Sequence, residues 1–157
     1  VYLPSYCEPQ LINIFQPFGD IRFEIFCSQT KEPKTYDNIS FLPVNKKMFN
    51  QSLINCTGII TGGGFETPAE ALHLGKKIMT IPIRSQYEQQ CNAAALQKMG
   101  VLKLKSIDSD FETHLYNWMN EGKVIKMDYS QTIPQCMEFL FEDKEYEREK
   151  EVKEFAL

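Results

Sequence analysis

The chain has 157 residues, of which 43% are hydrophobic and 24% charged, with a net charge of -4 and a pI near 5.3. That profile fits one globular domain with a sizeable core, and its acidic balance argues against a nucleic-acid surface, which needs clustered Lys and Arg. No stretch approaches the roughly 20 apolar residues of a membrane span. The first residues, Val1 to Pro4, do not read as a secretory leader. Cys7, Cys27, Cys56, Cys91 and Cys136 are widely spaced, odd in number and free of any C-x-x-C pair. Reduced thiols and a cytoplasmic location are therefore expected. With His73 and His114 as the two histidines, no metal centre is expected.

Val1 to Pro4 reads as a short strand, and Glu8 to Phe18 carries Leu11, Ile12, Ile14, Phe15 and Phe18 at helical spacing before Gly19-Asp20. Arg22 to Cys27 is a second strand. Lys31 to Asn38 is a polar connection, and Ile39 to Val44 a third strand. Lys46 to Asn55 places Met48, Phe49, Leu53 and Ile54 on a helical stripe that leads into the strand Gly58 to Thr61. Pro68 to Leu74 is a short helix closed by Gly75. Ile78 to Ile83 follows as a fifth strand, Glu88 to Met99 as a helix closed by Gly100, and Val101 to Leu104 as a sixth strand.

Asp110 to Asn120 is predicted helical around Phe111, Leu115, Trp118 and Met119, with Gly122 as its stop. Phe139, Phe141, Tyr146 and Phe155 read as packing residues, and Glu142 to Glu154 as a solvated helix face with Glu and Lys pairs. Strands alternating with helices imply βαβ units. The predicted class is α/β, with a mainly parallel sheet of about six strands and helices on both faces. Ligands in such folds bind at the carboxyl ends of the strands.

The segment Ile59-Ile60-Thr61-Gly62-Gly63-Gly64-Phe65-Glu66-Thr67-Pro68-Ala69-Glu70 carries the densest signal. An apolar run opening into three glycines lets backbone approach a ligand closely. The helix start that follows offers free N–H groups and a positive dipole end, which suit a phosphate or pyrophosphate. Taken alone, the glycines read more simply as a tight turn, and it is the helix start just after them that makes the turn an anion seat. Thr67 to Glu70 also has the form of a capping box, and Ser85 to Glu88 repeats it.

With Gly75, Pro82, Glu88, Gln89, Asn92 and Ala93 downstream, the segment resembles the donor-binding signature of GT-B glycosyltransferases, and in particular the UDP-glycosyltransferase and MurG-like group. The resemblance implies a Rossmann-like domain that is the C-terminal half of a two-domain protein. The missing N-terminal domain would bind the acceptor and supply the catalytic base, so no catalytic residue is assigned to this chain, and alone it is expected to be inactive. It further implies a nucleotide-sugar substrate, most simply a UDP-sugar, and no other cofactor. The pyrophosphate would lie on Gly62, Gly63 and Gly64, with Ser5, Phe65 and Thr67 nearby. Glu70 would accept hydrogen bonds from the ribose hydroxyls, and Glu88, Gln89 and Asn92 would contact the donor sugar.

Phe65 stands where relatives carry Trp, and Gly62 where others carry His. Losing that His leaves more of the pyrophosphate to backbone N–H groups. The base would be read at Cys27-Ser28 and Pro43-Val44. Two other readings share the fold: a sugar-nucleotide 2-epimerase, and a donor-binding subunit of a split transferase. Peripheral membrane association of the full-length protein is compatible with all of these.

Overall fold

A computed structural model describes residues 1–141. Val1–Lys126 forms one compact unit, and Met127–Leu157 a second. In the first, the elements run α1 (Glu8–Phe15), β1 (Phe23–Cys27), β2 (Lys34–Tyr36), β3 (Ile39–Pro43), α2 (Lys46–Asn55), β4 (Gly58–Thr61), α3 (Glu66–His73), β5 (Lys77–Thr80), α4 (Tyr87–Lys98), β6 (Leu102–Lys103) and α5 (Phe111–Glu121).

The strands form two three-stranded sheets in place of one sheet of about six, in the orders β1-β3-β2 and β4-β5-β6. The second is parallel throughout. The first pairs β1 with β3 in parallel and carries β2 as an antiparallel edge. The predicted first strand has become a stitch between them. Val1 N donates to Glu24 O at 2.6 Å and Val1 O accepts from Phe26 N at 2.9 Å. On its other side Tyr2 N donates to Ile60 O at 2.8 Å, in a parallel bridge of Tyr2 with Thr61.

β2 is absent from the sequence expectation, which treats 31–38 as a connection. It is a short hairpin partner: Tyr36 opposes Ile39, with Asp37 at φ 49 in the two-residue turn. Asn38 locks that turn by donating from Nδ2 to the Phe15, Phe18 and Ile21 carbonyls, at 3.2, 2.8 and 3.0 Å. α1 stops at Phe15 rather than Phe18, because Pro17 has no N–H with which to continue the helical ladder after Gln16. β5 ends at Thr80, ahead of Pro82.

The core lies between α1, the strands and α5. Phe15, Ile25, Ile39, Phe41, Met79 and Leu115 are fully buried. Phe15 packs tilted against Phe23 with ring centroids 4.7 Å apart and meets Phe111 edge-on at 5.9 Å. Each such side chain contributes about 1.5–3 kcal/mol by leaving water. Trp118 Nε1 donates to Ile78 O at 3.0 Å, fixing α5 to β5. Gly58 is required there, since a Cβ would lie 2.7 Å from the Trp118 ring.

In the second unit residues 132–141 are helical, and Ile133, Phe139, Leu140 and Phe141 are exposed. The charged run from Glu142 to Glu154, with Tyr146 and Phe155, lies outside the described residues. Among the described residues no helix is long and apolar enough to cross a membrane.

Candidate functional site

The chain leaves Val1–Leu3 for β1 on one side and returns through α2 to β4 on the other. The two loops at that reversal, Pro4 to Cys7 and Gly62 to Phe65, therefore leave neighbouring segments at their carboxyl ends. A reversal of this kind opens the crevice in which α/β sheets bind ligands. The first loop is braced from β6's side, where Ile107 N donates to the Tyr6 hydroxyl at 3.2 Å.

The three glycines are not equivalent. A Cβ on Gly62 would lie 2.9 Å from Gln89 Oε1. Gly63 has φ +81, a conformation that costs L side chains about 1–2 kcal/mol. Its Cβ would also stand 3.3 Å from the Ala93 methyl and 3.4 Å from Gln89 O. Both are thus shaped by α4 packed beneath the turn. Gly64 faces open space, with nothing within 4 Å of a Cβ position.

Neither capping box forms. Phe65 is already helical, at φ -81 and ψ -53, so α3 begins at Glu66 and carries Thr67 and Pro68 inside its first turn rather than at its cap. Pro68 is tolerated there because first-turn N–H groups have no helical partner. α4 begins at Tyr87 with Gln86 as N-cap, so Ser85 is one residue too early. Neither helix start receives a side-chain cap, so their first N–H groups have no partner within the helix.

Glu70 and Glu88 are exposed, as are Ser5 and Phe65, the last at 74%. Thr67 is half-buried in α3. Asn92, one turn beyond Glu88, has its Nδ2 enclosed without a hydrogen-bond partner. A buried amide donor left unpaired costs about 1–3 kcal/mol. A small cavity of about 30 Å³ lies between Leu3, Tyr6, Cys27, Ser28 and Gln29, at the end of β1.

Residues 1–120 match the glycosyl transferase family 1 model. The chain belongs to glycosyl transferase family 1. Among curated proteins and among solved structures, nothing matches it. This glycosyltransferase chain is a GT-B-type domain of an enzyme family, and the matched span contains both loops of the crevice, the glycine turn and α4.

The structure of this family 1 domain gathers Gly62, Gly63, Gln89 and Ala93 into direct contact. It brings Ser5 to the same edge through the Tyr2–Thr61 bridge. His73 and His114 are exposed on α3 and α5. Sequence reasoning missed Gln90 and the backbone of Ile83: Gln89 Oε1 accepts from Ile83 N at 3.1 Å, and Gln90 Nε2 donates to Ile83 O at 3.3 Å. Two adjacent glutamines just after a Pro-terminated strand were the available signal. Tyr87 stands 84% exposed at the start of α4. Its hydrogen bond to Cys91 raises the phenol above its ordinary value.

Proposed function

We propose that this chain is the nucleotide-sugar donor-binding half of a glycosyltransferase that moves a hexose or N-acetylhexosamine to an acceptor hydroxyl. One observation carries the reading: two uncapped helix starts, α3 and α4, flank an open glycine turn at the reversal of the sheet. That arrangement concentrates free N–H donors and two positive dipole ends at one point, as a diphosphate requires.

In this reading the Gly62 to Gly64 turn holds the pyrophosphate, Gly64 most directly, with Ser5 across the crevice and Phe65 and Thr67 at its rim. Glu70, one turn into α3, accepts from both ribose hydroxyls, a task suited to a two-oxygen acceptor. Glu88, Gln89 and Asn92 face the sugar, where the unpaired Asn92 Nδ2 would find its acceptor. The acceptor hydroxyl attacks the anomeric carbon and the nucleoside diphosphate leaves. Negative charge developing on that leaving group meets the amides and dipoles. The proton of the attacking hydroxyl passes to a base outside this chain, which by itself binds donor and transfers nothing. A UDP-sugar, used in the cytoplasm, is the favoured donor.

Titration of UDP, GDP and TDP by calorimetry tests this reading. Saturable binding of one diphosphate is expected, weakened about tenfold or more by Glu70→Ala, because hydrogen bonds to a charged group are worth about 1.5–3 kcal/mol. If all three fail to bind, the donor reading is wrong. If binding is indifferent to Glu70, the ribose role is.

A further inference from the structure

We infer that Gln89 is a positioning residue, a latch that holds the glycine turn after β4 in register with the start of α4 after β5. The inference rests on the donor-site reading and deepens it. The β4–β5 ladder ends at Thr61 opposite Thr80, followed by one more bond, from Ile81 N to Thr61 O at 2.8 Å. Beyond that point the two loops diverge, yet both supply N–H groups to the same anion.

Gln89 spans the gap. Its Oε1 accepts the Ile83 N–H at 3.1 Å, so the oxygen is already committed to the β5–α4 loop. The same oxygen lies 2.9 Å from where a Gly62 Cβ would be, and Gln89 O lies 3.4 Å from that position on Gly63. The absence of a side chain at Gly62 is therefore matched to the amide of Gln89. Gln90 Nε2 holds the Ile83 carbonyl, so both backbone groups of Ile83 are tied to the first turn of α4. A residue whose only task was to meet the sugar would not have its acceptor spent in this way.

The test uses inorganic pyrophosphate, which carries neither sugar nor base, and compares the wild-type chain with Gln89→Met, Gly62→Ala and the pair together. Two quantities are read: pyrophosphate affinity, and hydrogen exchange at the Ile83 amide without ligand. The latch predicts Ile83 exchange about tenfold faster in Gln89→Met, the value of one hydrogen bond, and pyrophosphate binding several-fold weaker in both single variants. The pair should be no worse than the poorer single variant, since both break one contact.

Unchanged pyrophosphate affinity in Gln89→Met would overturn the proposal and leave Gln89 as a sugar contact or a stabilising residue. Additive losses in the pair, or Ile83 exchange that ignores Gln89, would also overturn it. Wild-type chain that fails to bind pyrophosphate while Ile83 stays protected would instead sink the donor-site reading, and with it the purpose of the latch. Should Gln89→Met not fold, Gly62→Ala read against wild type still decides, because a displaced Gln89 must release Ile83.

Discussion

The start of α2 and the starts of α3 and α4 all follow carboxyl ends of strands, yet the protein finishes them differently. At α2, Asn45 Oδ1 accepts from Met48 N at 3.1 Å, a side-chain cap. At α1, the Cys7 N–H is taken by Gln10 Oε1 at 3.0 Å. At α3 and α4 no side-chain cap forms, although Thr67, Ser85, Glu70 and Glu88 are all within a few residues. A cap is worth about 0.5–2 kcal/mol, and the chain forgoes it at the two helices that border the glycine turn. The difference teaches that the two helices bordering the glycine turn start without the side-chain bond that closes α1 and α2, a feature they share with α5.

The largest effect expected from breaking this contrast is at Gly63. Gly63→Val should lower unfolding stability by about 2 kcal/mol or more in urea titrations, through the positive φ and the contact with Ala93. Gly64→Val, one residue on, should change stability by less than about 0.5 kcal/mol, since its side chain meets open space. It should still weaken diphosphate binding severalfold, and equal effects of the two on stability would erase the distinction between a structural and a ligand-facing glycine. A smaller effect sharpens the helix comparison. Asn45→Ala should cost about 1 kcal/mol, whereas Thr67→Ala and Ser85→Ala should each stay within about 0.5 kcal/mol. A full capping loss at Thr67 or Ser85 would mean that those helices are closed after all.

Much of the fold was legible because hydrophobic spacing dictates it: Leu11 and Phe15 on α1, Ile59 and Ile60 in β4, Leu115 and Trp118 on α5 all sit where periodicity places them. β2 escaped notice because Lys34, Thr35 and Tyr36 are all exposed and carry no alternation. Its turn signal, Asp37-Asn38, was present and tolerates the left-handed conformation found at Asp37. Val1 to Pro4 was legible as a strand, but not as the stitch between two sheets, since pairing partners leave no local mark. The glycine turn could be found from Thr61 to Gly64, and its division of labour could not. Which glycine serves packing depends on Gln89 and Ala93, some 30 residues downstream and brought there only by the fold. The capping boxes misled for a related reason: they are local patterns, and Gly63 turns the chain so that the helix begins before Thr67 is reached.

The most direct test of the account is amide chemical-shift mapping of this chain on addition of the nucleoside diphosphate that binds best. The account predicts the largest shifts at Gly64, Glu66, Thr67, Tyr87 and Glu88, a response of the Asn92 side-chain amide, and none at the capped start of α2 around Met48. Shifts that gather at α2 or at α5, with the glycine turn and α4 silent, would contradict it.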